Sequence, residues 1–238
     1  MSILIIGSGF VGSGLASHML PSEHKLMRHN DQWAQIIELE RPELVVNAAA
    51  ITGQSNCHAT SWDNVKRSNI DLPAQIAQTA LEYGSQCLLL STGAVYARPI
   101  STPKPEHAKL SRQMNLYVQS KILMEQKVSK MDVVIFRIPS VYDAGYHKWD
   151  YLNRIRESTW VQDCYTSLLG MRTLFNAVKN IKQHVGIYNI ADEGIVHLPS
   201  YVKSKYKELP ILEDSQMPPR HGLTHLLDIT KAKEAGIL

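Results

Sequence analysis

The chain has 238 residues, 44% of them hydrophobic and 20% charged, the balance of an ordinary globular protein. Its formal net charge of +3 comes without a long basic run, which argues against a nucleic-acid or membrane-surface partner. The three cysteines, Cys57, Cys87 and Cys164, are far apart and form no C-x-x-C pair, so neither a disulfide framework nor a zinc site is indicated and a reduced, cytoplasmic setting is expected. No apolar run approaches the length of a membrane span or a signal-peptide core.

The chain starts with the apolar run Ile3–Ile6, followed directly by Gly7-Ser8-Gly9-Phe10-Val11-Gly12 and a helical pattern over 11–19. A buried strand, a glycine-spaced turn and a helix describe a pyrophosphate site. The first glycine permits the tight turn, the second lets backbone approach the phosphates, and the third lets helix pack closely on strand. Further strands are predicted at Lys25–Met27, Leu44–Asn47, Cys87–Leu90 and Val133–Arg137, alternating with helices over 31–40, 71–84 and 110–130. Apolar runs without alternation suit strands buried on both faces, so the fold class is α/β, a doubly wound parallel sheet. Pro99, Pro103 and Pro105 mark an exposed loop ahead of the long helix. Residues 143–185 read as helix and loop, 186–190 as one returning strand, and the tail as Pro- and Lys-rich with a short closing helix. The expected organisation is a nucleotide-binding domain over 1–140 and a small, partly interleaved substrate lobe over 141–238.

Tyr117-Val118-Gln119-Ser120-Lys121 falls inside the long predicted helix, where a spacing of four puts both side chains on one face. A free tyrosine, with a pKa near 10, is a poor acid–base group at neutral pH. A neighbouring ammonium stabilises the phenolate, which makes the phenol a usable proton donor to a carbonyl oxygen gaining charge. The same spacing recurs in Tyr201-Val202-Lys203-Ser204-Lys205. Only the first pair follows a hydroxyl pair, Ser91-Thr92, set at the carboxyl end of a predicted strand, where open α/β sheets bind ligands. The second comes after the last strand and reads as a solvated helix face.

With the glycine turn, these residues resemble the extended short-chain dehydrogenase/reductase family, which carries a Ser/Thr–Tyr–Lys triad. Arg41-Pro42-Glu43-Leu44-Val45-Val46-Asn47-Ala48-Ala49-Ala50 and Arg137-Ile138-Pro139-Ser140-Val141-Tyr142 are further matches to that family. The first of these stretches is most similar to its dTDP-4-dehydrorhamnose reductase branch, and the tail segments Pro219-Arg220, Leu227–Lys231 and Gly236-Ile237 are similar to the end of those reductases. The resemblance implies a Rossmann sheet and an NAD(P)-dependent oxidoreductase. Tyr117 would donate the proton, Lys121 would hold the nicotinamide ribose, and Thr92 or Ser91 would orient the carbonyl. Gly7, Gly9, Phe10, Val11 and Gly12 would line the phosphates, Ala48–Ala50 would pack along the cofactor, and Pro139 and Val141 would lie on its nicotinamide side. Members often dimerise, which leaves a homodimer open.

Gly93 and Ala94 follow Thr92 where related dehydratases carry an acid–base pair and related epimerase-reductases a cysteine. Reduction of a keto group on a nucleotide-linked 4-keto-6-deoxy sugar, or of a smaller ketone, is therefore the leading expectation. A 4-epimerase also needs no extra acid or base and is the alternative. A non-catalytic cofactor-binding subunit is a third reading, because the chain is shorter than such reductases in its substrate half. For the cofactor, Lys25-Leu26-Met27-Arg28-His29-Asn30 offers no carboxylate until Asp31, and the planar fork of Arg28 suits a 2′-phosphate, so NADP is favoured over NAD. The ten histidines form no ligand cluster, and no metal is expected. Asn69 reads as a cap or turn residue. Trp149, Tyr151 and Trp160 are candidates for stacking on a nucleotide base.

Overall fold

The apolar runs that suit doubly buried strands assemble into one six-stranded parallel sheet. The structure is a computed structural model and describes residues 2–29, 32–97, 102–112, 115–143, 151–205, 209–212 and 225–238. The first half runs β1 (Ile3–Ile6), α1 (Phe10–Ser17), β2 (His24–Met27), α2 (Trp33–Glu40), β3 (Leu44–Asn47), α3 (Gln54–His58), α4 (Trp62–Lys66), α5 (Leu72–Glu82) and β4 (Gln86–Thr92). Next come α6 (Leu116–Lys127), β5 (Val134–Ile138), β6 (Ser140–Tyr142), α7 (Tyr151–Arg156), β7 (Val161–Gln162), β8 (Tyr165–Thr166) and β9 (Leu168–Gly170). The chain closes with α8 (Met171–Asn180), β10 (Gly186–Asn189), β11 (Val196–His197), α9 (Leu198–Lys205), β12 (Ile211–Leu212) and α10 (Thr230–Glu234).

Strand order is β10-β5-β4-β3-β1-β2. The chain moves out from β1 to β2 on one side, then crosses to β3 on the other, so a switch point lies between β1 and β3, where α/β sheets open a ligand crevice. On one face Ile5, Val46, Leu90 and Phe136 pack against Leu15 of α1 and Leu174 and Val178 of α8. On the other, Ile6, Val45, Leu89 and Ile135 pack against Ile37 of α2, Ala77 of α5 and Met124 of α6. Burial on both faces explains why these strands read as unbroken apolar runs. A separate small cluster, Ile155, Val161, Leu198, Val202 and Leu209, gathers α7, β7 and α9.

Three expectations change. The helix predicted over 110–130 occupies only 116–127, because Asn115 caps it: its Oδ1 accepts from the amides of Tyr117 and Val118 at 3.0 and 3.2 Å. Leu110 instead bridges back to Tyr96 as extended chain. Residues 143–185, read as helix and loop, also hold the two- and three-residue strands β7, β8 and β9, whose partners lie far off in sequence. Between β3 and α5 stand α3, α4 and a π-helical turn over Arg67–Asp71, none of which the apolar pattern announced. Asn30, Asp31, Pro99, Trp149, Pro219 and Arg220 lie outside the described residues.

Candidate active site

Because β1 and β3 pair in register, Ile6 beside Asn47, the glycine turn and the Ala48–Ala50 segment leave the sheet side by side. Gly7 has φ +116, and a Cβ there would fall 2.4 Å from the amide nitrogen of Ala49. At Gly12 a Cβ would fall 1.8 Å from the Gly7 carbonyl oxygen, so only glycine lets α1 seat this closely on the turn. Gly9, the N-cap of α1, is different: a Cβ there would meet nothing within 4 Å. The turn is thus closed toward the protein and open at its middle, at the N-terminus of α1, and these residues fit a pyrophosphate. Phe10 and Val11 are half-buried in the first turn of that helix. Arg28 is exposed just beyond β2, next to β1 in the sheet.

At the carboxyl end of β4, three consecutive residues grip one face of α6. The Leu90 carbonyl accepts from Lys121 Nζ at 2.8 Å, the Ser91 hydroxyl donates to Glu125 at 2.5 Å, and the Thr92 hydroxyl lies close enough to the phenol of Tyr117 to favour its charged form. Thr92 and Tyr117 therefore meet, whereas Ser91 is turned to Glu125. Of the two hydroxyls proposed to orient a carbonyl, the geometry leaves that position to Thr92. Pro139 is buried, and Val141 packs in the main core on β6 beside Leu169 of β9.

The electrostatics correct one expectation. Burial pushes the Tyr117 phenol up to about 12, with Cys57 adding to the rise and the Thr92 hydroxyl pulling it back. Lys121 does not lower it, since its Nζ is turned to the Leu90 carbonyl. Burial instead drops Lys121 to about 8, against the pull of Glu125 and Cys57. At neutral pH the pair is a phenol beside an ammonium, the protonation state suited to donating a proton.

A family model described as the RmlD substrate binding domain matches residues 1–163. The chain belongs to that family. Among solved structures, a dTDP-4-dehydrorhamnose reductase of Bacillus anthracis, in complex with NADP, superposes with TM-score 0.82 at 18% identity, covering 100% of this chain and 93% of that one. A dTDP-4-dehydrorhamnose reductase of Clostridium acetobutylicum gives 0.81 at 16% identity, covering 98% and 92%. A UDP-glucose 4-epimerase of Thermotoga maritima, with UDP-glucose, gives 0.75 at 18% identity, covering 99% and 93%. No curated protein matches the chain by sequence. Among the described residues no group of three or more His, Cys, Asp or Glu could hold a metal ion, and no helix is long and apolar enough to cross a membrane.

Sequence reasoning missed several members of the site. Cys57, fully buried on α3, lies near both Tyr117 and Lys121, and burial raises its own thiol above the ordinary value. Gln54, also on α3, accepts from the Asn115 side chain at 3.2 Å and so ties α3 to the cap of α6. Nothing in the local pattern around these residues signals that placement. Glu125 had a signal: it lies four residues beyond Lys121 on the same helix face. Asn69, expected as a cap or turn residue, lies within the π-helical turn and makes long-range bonds instead, to the Ile51 amide and carbonyl and to Ser120, bracing the segment after β3 against α6. Tyr151 and Cys164 pack beside the small cluster of α7, β7 and α9.

Proposed function

We propose that this chain is an NADP-dependent reductase of a keto group on a nucleotide-linked 4-keto-6-deoxy sugar, with Tyr117 as proton donor. The observation that carries the reading is the meeting of Thr92, Tyr117 and Lys121 at the carboxyl end of β4, two strands from the glycine cradle of β1. A bound nicotinamide supplies the hydride. Tyr117 holds its proton on the phenol oxygen and releases it to the substrate oxygen as charge builds there. Thr92 would orient that oxygen, and Lys121, held by the Leu90 carbonyl, would offer its ammonium to the cofactor ribose. Gly93 has no side chain with which to supply a further acid or base next to Thr92. Simple carbonyl reduction needs no such group. Arg28 beyond β2 supports NADP, and the relative from Bacillus anthracis is described in complex with NADP.

The test is a panel of dTDP-, UDP- and GDP-linked 4-keto-6-deoxyhexoses with NADPH or NADH, following cofactor oxidation. Oxidation with at least one sugar, faster with NADPH, is expected. Interconversion of 4-epimers with no net oxidation makes the chain an epimerase. Cofactor binding without turnover of any member leaves the binding-subunit reading.

A further inference from the structure

Behind the Tyr117–Lys121 pair lies a buried polar hub that proton donation does not itself require. Glu125 accepts from Arg137 through Nε at 3.1 Å and Nη2 at 2.6 Å, and from Ser91 at 2.5 Å. Arg137, on β5 and only 2% exposed, also donates through Nη1 to the Tyr96 hydroxyl at 3.0 Å and to the Glu106 carbonyl at 2.8 Å. Tyr96 in turn donates to Asn189 at 2.6 Å, and Asn189 donates to the carbonyls of Lys104 and Asp228. The hub thus joins β4, α6, β5, β10, the loop after β4 and the C-terminal tail. Desolvation of two ions makes a buried pair weak as a stabiliser compared with apolar packing, so its placement calls for another account.

That account lies in the register of α6 on β4. Residues 117, 121 and 125 line one helix face: Leu90 and Ser91 hold the second and third by hydrogen bonds, and Thr92 lies beside the first. Only Glu125 is clamped from two strands at once, by Ser91 of β4 and Arg137 of β5.

We propose that Glu125 is a positioning residue: locked by Arg137 and Ser91, it fixes the rotation of α6 on β4 so that Lys121 reaches the Leu90 carbonyl and Tyr117 reaches Thr92. The proposal rests on the reading of Tyr117 and Lys121 as the reacting pair. Its electrostatic corollary is that Glu125 holds Lys121 as an ammonium against the cost of burial. The groups acting on Lys121 are Glu125 on its own helix and Cys57 from α3, with Arg137 from β5 standing behind Glu125 and Tyr117 one turn away.

The test uses the full chain with lysines labelled at Cε, Lys121→Met assigning the resonance, and follows the Lys121 titration by NMR. In Glu125→Gln the midpoint of Lys121 is expected to fall by at least about one pH unit, a tenfold loss of ammonium above the midpoint. The pH at which kcat/KM declines on the alkaline side is expected to fall with it. Should the unpaired Arg137 unfold that variant, Glu125→Gln/Arg137→Met removes both charges and is expected to shift the midpoint in the same direction, by less. An unmoved Lys121 midpoint in either folded variant overturns the proposal. The titration reads Lys121 without turnover, so a chain that reduces none of the sugars fails the proposed function while this result still stands or falls alone.

Discussion

The chain carries a five-residue segment twice, with only Gln119 exchanged for Lys203, and uses the two copies differently. Tyr117–Lys121 and Tyr201–Lys205 both lie within helices, and in each the intervening serine donates to its tyrosine carbonyl at 2.8 Å. Local sequence and local structure are alike. What differs is the surrounding fold. Lys121 is 4% exposed and bonded to a strand carbonyl, whereas Lys205 is exposed at the last turn of α9. An exposed ammonium stays solvated and does little to a neighbouring phenol, while one held in a low-dielectric wall has its charge set by its neighbours. Tyr-x-x-x-Lys spacing supplies a shared helix face; the end of β4 turns that face into a site.

Paired substitutions press on that contrast. Tyr117→Phe is expected to cut kcat by about 10²–10⁴-fold, the usual contribution of a positioned general acid, with NADPH affinity retained. Tyr201→Phe is expected to leave both constants unchanged. Equal losses in the two variants would falsify the assignment of chemistry to α6. A smaller effect is expected from Thr92→Val, which keeps the shape but deletes the hydroxyl beside the Tyr117 phenol. Loss of one polar contact to the reacting oxygen corresponds to about tenfold in kcat. Ser91→Ala reaches the phenol only through the Glu125 clamp, so a direct loss as large as that of Thr92→Val, with the Lys121 titration unmoved, would return the orienting role to Ser91.

The contrast also marks how far the sequence could be read. Ile3–Ile6 and Leu44–Asn47 are strands at the predicted residues, because a strand buried on both faces writes an apolar run that needs no context. The glycine turn was legible for a similar reason, since Gly7 and Gly12 answer to contacts that no other residue permits. The start of α6 was not, because apolar residues at 110–115 looked helical until Asn115 and the Leu110–Tyr96 bridge set the boundary. The strands β7–β9 were not, because two or three residues become a strand only when a distant partner pairs with them. Within the site, Ser91 and Thr92 were indistinguishable as letters. Both side chains meet α6, but one turn or more apart along it: Ser91 reaches Glu125 and Thr92 lies by Tyr117. Choosing between them needed the position of Glu125.

The smallest effect tests the contrast through stability. Burial lowers Lys121 to about 8 in the folded chain from an ordinary value near 10.5. Between those values the unfolded chain binds a proton that the folded chain has released, so stability contributed by this group rises with pH across that window. Below about 8 both states hold the proton, and the full cost of burying the ammonium is present, on the order of 3 kcal/mol. Lys121→Met removes that cost but leaves the Leu90 carbonyl without its donor, a penalty of about 1–3 kcal/mol. The variant is expected to be more stable than the wild type at pH 7, by on the order of 1 kcal/mol in urea unfolding, while losing turnover. Its advantage should shrink as pH rises from 8 toward 10.5 and the wild-type lysine discharges on folding. Lys205→Met, which changes a solvated side chain, should show no difference that varies with pH. A Lys121→Met advantage that stays constant across that range would mean that Lys121 is not held charged against burial, and the distinction between the two helices would reduce to geometry alone.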